Sequence, residues 1–294
     1  MSFTGGNSSS TSANETNSRT NAESYALSCG LAAYSLTISS GTVNATSGKA
    51  NNVTANETPY NGSIAVSCDT LSMTGGTLNA TAGQSAKANS YGVYVHSGTT
   101  TSGIYAGTAN ITIGDEDNAA NCYNAIGVYC NNTFNVGDQS SSSAATVKIS
   151  SYRASSSVRG FKANNSNTGL VMNSGKFTFI DMASSLTNTI AVDVDMFTQN
   201  DGTFISSSSA GYALTASTAT FSSGCDNFTG TTTQSGTNYC VLCSSITLGS
   251  DASITNGAKN DTGITSTNSS SPTTIKFGSS ELILDNSTDK SGTN

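Results

Sequence analysis

The feature that most constrains this chain is a short motif, a small residue followed at once by an apolar residue, which recurs nine times. The small residues are Ala26, Ala65, Gly92, Gly127, Gly160, Ala191, Ala213, Cys240 and Gly263. The apolar residues are Leu27, Val66, Val93, Val128, Phe161, Val192, Leu214, Val241 and Ile264. The copies lie about 30 residues apart, which predicts a chain built from stacked structural units.

A second pattern follows most copies of the motif. It consists of an apolar pair, a turn that contains glycine, and another apolar strand, as in LTISSGTVNAT at 36–46 and LSMTGGTLNAT at 71–81. We therefore expect an all-β fold, a right-handed parallel β-helix of about nine to ten coils with three short strands per coil. A β-sandwich or barrel is the alternative, but its strands have no reason to repeat in threes with one small residue in the same place.

The composition agrees with an uninterrupted β fold. The chain of 294 residues has 2 prolines and only 10% charged residues, and each proline would remove a donor from the backbone hydrogen bonds of a sheet. We expect one β-helix domain at 24–284, between a polar N-terminal tail at 1–23 and a polar C-terminal tail at 285–294.

Charge and hydropathy narrow the classes of partner. The net charge is −7 and the 11 Lys and Arg residues form no cluster, so we expect no nucleic acid partner. No run of 18 apolar residues occurs, so no membrane span is expected. The segment after Met1 also lacks the basic and apolar parts of a signal peptide. The Ser/Thr/Asn-rich surface then favours a mature or trimmed form that is extracellular or at the cell surface.

Cysteines occupy a third repeating position, two residues after the apolar one. Cys29, Cys68, Cys130 and Cys243 hold it in four copies, and alternation in a strand puts them on the same face as the apolar residue. We expect them to act as compact apolar side chains inside the coil. A bridge between Cys29 and Cys68, or one pair that includes Cys122, Cys225 or Cys240, stays open as an alternative. We expect no metal site or cofactor, and His96 is expected to be a solvated loop residue.

Alternation also predicts that the small residue of each motif faces outwards, opposite to the apolar residue. Solvent alone does not demand Ala or Gly, so we interpret this column as a contact strip for a tail, a loop or a neighbouring molecule. Its members are Ala26, Ala65, Gly92, Gly127, Gly160, Ala191, Ala213 and Gly263. A cramped corner of the coil is the alternative interpretation.

Sequons for N-glycosylation are frequent. The candidate sites within the domain and after it are Asn44, Asn52, Asn56, Asn61, Asn79, Asn110, Asn131, Asn164, Asn227, Asn260, Asn268 and Asn286. Asn44 and Asn79 hold equivalent outward positions, where they could carry glycans or form a stacked ladder of side-chain amides. Glycans on both would be crowded at a rung spacing of ~4.8 Å.

The segments TLSMTGGTLNATAG at 70–83 and SYGVYV at 90–95 resemble the repeats of secreted parallel β-helix proteins, such as bacterial surface adhesins and autotransporter passengers. The resemblance covers residues 24–284 and implies adhesion, surface display or extracellular scaffolding. Neither end shows a helical cap, and the last unit still reads IKFGSSELILD, so an open end is expected at which copies stack head to tail.

We therefore expect a non-enzymatic extracellular structural protein, a surface adhesin or filament subunit that associates with itself and binds surface glycans. The alternative is a polysaccharide-binding or pectate-lyase-like polysaccharide-cleaving β-helix. Its carboxylates would come from Asp115, Glu116 and Asp117, or from Asp193 and Asp195. A flat face that binds ice or glycans is a third hypothesis. The threonines are not aligned over enough coils for ice binding. Tyr94 and Tyr129 are candidates for glycan binding, and the alternative is that they only stack on each other.

Overall fold

The structure is a computed structural model of the chain. It describes residues 1–4, 8–9, 27–51, 62–83, 85–114, 122–138, 144–152, 154, 156–163, 165–182, 188–208, 211–222, 225, 228–232, 239–249, 252–256, 262–266, 274–277 and 283–285.

The described residues form strands joined by turns. In chain order the strands are β1 (Ser2–Thr4), β2 (Ser8–Ser9), β3 (Leu27–Ile38), β4 (Thr42–Thr46), β5 (Ala50–Asn51), β6 (Gly62–Thr81), β7 (Ser85–Val95), β8 (Ser102–Ile113), β9 (Cys122–Cys130), β10 (Phe134–Val136), β11 (Ala145–Ser151), β12 (Ser157–Ala163), β13 (Gly169–Met172), β14 (Lys176–Asp181), β15 (Thr189–Asp193), β16 (Met196–Gln199), β17 (Thr203–Ser208), β18 (Tyr212–Phe221), β19 (Phe228–Thr232), β20 (Tyr239–Leu248), β21 (Ser253–Asn256), β22 (Thr262–Ser266), β23 (Thr274–Phe277) and β24 (Ile283–Asp285). Every pairing between them is parallel, and the fold is an all-β parallel β-solenoid of about five turns.

The pairings follow three ladders, each marked by one column of residues in register. The first ladder runs through Leu31, Val66, Val93, Val128, Phe161, Val192, Leu214, Val241 and Ile264. The second runs through Ile38, Met73, Ile104, Val136, Met172, Gln199, Phe221, Leu248 and Phe277. The third runs through Val43, Leu78, Ala109, Val147, Phe177, Phe204, Phe228, Ile254 and Leu284. Long strands such as β6 span all three ladders.

The core is an apolar interior lined by members of these columns. Val66, Val93 and Val128 are at most 1% exposed and belong to one hydrophobic cluster, so the predicted stacking of like side chains is confirmed. Phe177 and Phe204 stack with their rings almost parallel at a centroid distance of 5.4 Å, and Phe204 stacks on Phe228 at 4.3 Å. Stacked phenylalanines bury a large apolar area over a short length of solenoid.

The first copy of the motif differs from the sequence alignment. Leu31, not Leu27, pairs with Val66, and Leu27 pairs with Gly62 instead. Gly30 therefore holds the small position expected for Ala26, which lies outside the described residues. The reason is distance along the chain, since Leu31 precedes Leu36 by the same number of residues as Val66 precedes Leu71.

Two short strands of the segment 1–23, which the sequence predicts as a polar N-terminal tail, pair with strands of the solenoid. β1 pairs with β4 in the third ladder, with Phe3 opposite Ala45, and β2 pairs with β5. At the other end, Asp285 closes β24, and the rest of the predicted C-terminal tail lies outside the described residues.

Candidate functional site

The two ends of the solenoid expose strand edges. Among the described strands, β3 pairs only with β6, and β22, β23 and β24 each pair with one neighbour, on the side of β20 and β21. Leu31 and Leu36 in β3 are only partly buried although they pack on the core. The N-terminal coil therefore presents both unpaired backbone and partly exposed apolar surface.

The sequence of β3 lacks the charged residues and prolines that protect many edge strands. Its sequence LSCGLAAYSLTI contains no charged residue and no proline, and Tyr34 is 81% exposed. Natural proteins protect edges with lysine, proline or a covering segment. Among the described strands only β6 pairs with these twelve residues, so their other edge is suited to pairing with another strand.

The two ends are in register with one another. In the second ladder, Thr37 occupies the same column as Thr198, Thr220 and Lys276. A second copy that continues the ladder would therefore place its β3 beside β23 of the first copy, with Thr37 opposite Lys276. Nothing in the local sequence of β3 shows this relation, because it depends on the register of the whole stack.

The column of small residues faces the interior, so the expectation that it faces outwards is wrong for its described members. Ala65, Ala191 and Ala213 are at most 2% exposed and belong to the main hydrophobic cluster. A Cβ atom on Gly127 would lie 2.6 Å from Ile149 Cγ2 and 2.4 Å from the backbone oxygen of Gly160.

Gly92 and Gly160 are restricted in the same way. A Cβ on Gly92 would lie 2.2 Å from Ile111 Cγ2, and one on Gly160 would lie 2.6 Å from Phe179 Cδ2. The small residue and the apolar residue after it both point inwards. The arrangement corresponds to the alternative interpretation, a cramped corner of the coil. Of the other predicted members, Ala26 and the surroundings of Gly263 lie outside the described residues.

Asn44, Asn79 and Asn110 form a ladder of side-chain amides on the third ladder. Asn79 Nδ2 donates to Asn44 Oδ1 at 2.7 Å, and Asn110 Nδ2 donates to Asn79 Oδ1 at 2.9 Å. The ladder is one of the two arrangements that the sequence left open for Asn44 and Asn79. It places the nitrogen that would carry a glycan between two stacked strands in Asn79 and Asn110.

Most of the remaining candidate glycosylation sites lie outside the described residues. Asn131 lies in a turn where its Nδ2 donates to the backbone oxygen of His96 at 3.0 Å. Outside the described residues lie Asn52, Asn56, Asn61, Asn164, Asn227, Asn260, Asn268 and Asn286. Glycosylation stays a prediction for all of these positions.

None of the seven cysteines, all of which lie within the described residues, forms a disulfide bond. Cys68, Cys130 and Cys243 are at most 1% exposed in the main core, as predicted for compact apolar side chains. Burial raises the pKa of Cys68 to about 12, and that of Cys130 and Cys243 to about 11. Cys29 does not stack on Cys68, because it pairs with Ile64 and Ala33 takes the place opposite Cys68.

His96 is half-buried and bonded, not a solvated loop residue. Its Nε2 lies 2.7 Å from Ser67 Oγ, and its ring centroid lies 4.2 Å from that of Tyr94. Burial lowers the pKa of His96, against an opposing effect of the Asp69 charge. Sequence reasoning missed this pair, because Ser67 and His96 are 29 residues apart and meet only through the stacking of β6 on β7.

Tyr94 and Tyr129 stack on each other at a centroid distance of 4.8 Å, with an interplanar angle of 19°. Tyr91 contacts both rings edge to face. Tyr94 is 2% exposed and Tyr129 is 8% exposed, so their rings present little area to a sugar. These tyrosines, with Ile64 and Ile126, form a second hydrophobic cluster beside the main core.

The carboxylates proposed for catalysis are separated or engaged. Asp193 accepts a hydrogen bond from Arg159 Nε at 3.0 Å in a partly exposed ion pair. Hydrogen bonds from Ser217 and the Asn167 backbone lower the pKa of Asp195. Asp115, Glu116 and Asp117 lie outside the described residues. Within the described ranges, no group of three His, Cys, Asp or Glu side chains could hold a metal ion.

The described part of the chain contains no helix with the length and hydropathy that crossing a membrane requires. Comparison of the chain with models of known protein families, with curated proteins and with solved structures gives no match.

Proposed function

We propose that this chain is a non-enzymatic extracellular structural protein, a surface adhesin or filament subunit whose solenoids stack head to tail. The observation that carries the proposal is the open, uncharged edge of β3 at one end of a ladder that continues in register to β22 and β23 at the other. A contact between two different ends repeats without closing, and therefore builds a filament.

The proposal includes nine to ten coils of three strands each. Its support is that each of the three ladders links nine successive positions by parallel pairs. At a rung spacing of ~4.8 Å, such a stack is about 40–50 Å long. Each subunit would then add one such length to a filament.

An extracellular location requires that the cysteines resist oxidation. A thiolate is the species that reacts, and burial disfavours it in Cys68, Cys130 and Cys243. These three thiols therefore resist oxidation for as long as the solenoid stays folded.

A charged residue introduced at position 37 tests the predicted stacking. Thr37→Lys puts a second lysine at the register position paired with Lys276 of the next copy, and like charges at paired positions are destabilising. We expect the concentration needed for assembly to rise about two- to fivefold, since cross-strand pairs contribute roughly 0.2–1 kcal/mol. Thr37→Glu should leave the concentration needed for assembly unchanged or lower it. Sedimentation velocity and negative-stain microscopy measure the assembly of both variants.

Thr198 provides matched controls, because it holds the same register position in an inner coil. Thr198→Lys and Thr198→Glu should leave assembly as in the unmodified protein. Monodisperse short rods at all concentrations would contradict the filament. An equal response to Lys and Glu at position 37 would contradict the register.

A further inference from the structure

The outward side of the third ladder carries a regular pattern of threonine and asparagine. The outward residues of three successive strand segments are Thr42, Asn44 and Thr46, then Thr77, Asn79 and Thr81, then Thr108, Asn110 and Thr112. We call these nine residues the threonine–asparagine face. The residues between them point into the core, where Leu78, Ala109 and Ile111 are at most 1% exposed.

The threonines are aligned from rung to rung over three successive strand segments, against the expectation that they are not aligned over enough coils. Thr42, Thr77 and Thr108 pair in register, and Thr146 in β11 continues their column. Thr46, Thr81 and Thr112 form a parallel column, which Ser150 continues. Sequence reasoning missed both columns, because it compared tripeptides such as LTI and ITI and not positions fixed by pairing.

The asparagine ladder holds this face in one arrangement. Each amide is bonded to the next at 2.7 and 2.9 Å, so the asparagines use much of their hydrogen-bonding capacity on one another. The two threonine columns stand at fixed distances on either side of them. A rigid array loses little conformational entropy when it binds, which is the advantage of preorganisation.

The chemistry of the face excludes most kinds of partner. It has no charged group and no aromatic ring over its three rungs, and the first charge in the asparagine column is Lys148 in β11. Nucleic acids require cations, and protein interfaces depend on aromatic and arginine anchors. Hydroxyl groups that exchange water for a soluble partner gain little net free energy.

A solid lattice of water fits this chemistry. The hydroxyls are spaced by ~4.8 Å between rungs and the strand rises ~3.3 Å per residue, so the array is periodic in two directions. The rung spacing is of the order of the second-neighbour oxygen distance in ice. Threonine presents a hydroxyl, which anchors a water molecule, and a methyl group, which orders the water around it.

We propose that the threonine–asparagine face binds ice. The inference goes beyond the structural role proposed above and does not depend on stacking, because the face lies along the side of the solenoid and not at its ends. The partner is the surface of an ice crystal, recognised through the spacing of uncharged hydroxyl groups.

The test measures thermal hysteresis and inhibition of ice recrystallisation by the purified full chain. The face variant is Thr77→Tyr/Thr108→Tyr, which fills two neighbouring positions of one column with rings. The control is Thr198→Tyr/Thr220→Tyr, a threonine pair in register on the second ladder. We expect the unmodified chain and the control to halt recrystallisation, and the face variant to need a several-fold higher concentration.

Four outcomes would overturn the proposal. One is an unmodified chain with no effect on ice growth, and another is a face variant that is as active as the control with equal thermal stability. The third is an intact mass that shows a glycan on Asn79 or Asn110, because the glycan would cover the face. Binding to insoluble cellulose or chitin without any effect on ice would assign the face to polysaccharide and would also overturn it.

Discussion

Gly127 shows how single residues determine the cross-section of the solenoid. Its partner across the interior is Ile149, whereas Ala213 lies near Gly230, where a Cβ would be 2.8 Å from that of Ala213. Glycine on the first ladder thus lies opposite a large side chain at Gly127, and alanine on the first ladder lies opposite a glycine of the third ladder at Ala213. An added Cβ on either glycine would come within 3.0 Å of its neighbour, which a closely packed interior does not accommodate without a shift.

Gly127→Ala should destabilise the protein although alanine fills equivalent positions in other coils. The added Cβ meets a backbone oxygen at 2.4 Å and Ile149 at 2.6 Å, and overpacking of this kind costs about 1–3 kcal/mol. Chemical denaturation followed by circular dichroism measures the free energy of unfolding. Gly98→Ala is the matched control, because the nearest atom to its Cβ would be 3.7 Å away. Equal stability of the two variants would contradict the packing argument.

The buried thiols predict a loss of stability at alkaline pH. Burial raises the pKa of Cys68 to about 12 and that of Cys130 and Cys243 to about 11, from an ordinary value of 9.0. Above pH 9 the unfolded chain loses these protons while the folded chain keeps them, so the free energy of unfolding falls between pH 9 and 11. Below pH 9 the contribution of these thiols is constant.

A variant without these thiols isolates their effect from tyrosine ionisation. Cys68, Cys130 and Cys243 are changed together to alanine, which already holds the same column at Ala33, Ala163 and Ala216. The melting temperature of the variant, followed from pH 8 to 11, should fall less steeply than that of the unmodified chain. Parallel pH profiles would show that the thiols do not contribute.

At the scale of the element, the strand repeat could be predicted and the corner could not. Eight of the nine apolar positions hold the predicted column, because an apolar residue at regular spacing is a local signal. Strict alternation fails between Ala65 and Val66, which both belong to the main core. A bend in the backbone turns two successive side chains inwards, and no residue type in the motif marks this bend as distinct from a straight strand.

The third ladder shows the same limit for the candidate sites. The sequence placed Asn44 and Asn79 in equivalent outward positions, and the structure adds Asn110 and two columns of threonine. The loops between these strands differ in length, so only the pairing shows which residues are neighbours. Stacking turns residues more than 30 positions apart into one surface, and the position of Arg159 beside Asp193 has the same origin.

For the whole molecule, the two ends differ in the third ladder. β1 lies on the edge of β4, with Ser2 opposite Asn44 and Phe3 opposite Ala45. Asp285 in β24 belongs to the same column as Asn44 and Ser2. In a stack that continues all three ladders, β24 of one copy would therefore occupy the place that β1 holds in the next.

Removal of residues 1–9 should consequently strengthen head-to-tail assembly. Without β1 and β2, the edge of β4 is free to pair with β24, and contact extends from two ladders to three. Sedimentation velocity should show larger species at a lower protein concentration than for the full chain. The control replaces residues 10–23 by a Gly/Ser segment of equal length, which keeps β1 and should leave assembly unchanged. Weaker assembly of the truncated chain at unchanged melting temperature would show that β1 belongs to the contact between copies, and that it does not compete with β24.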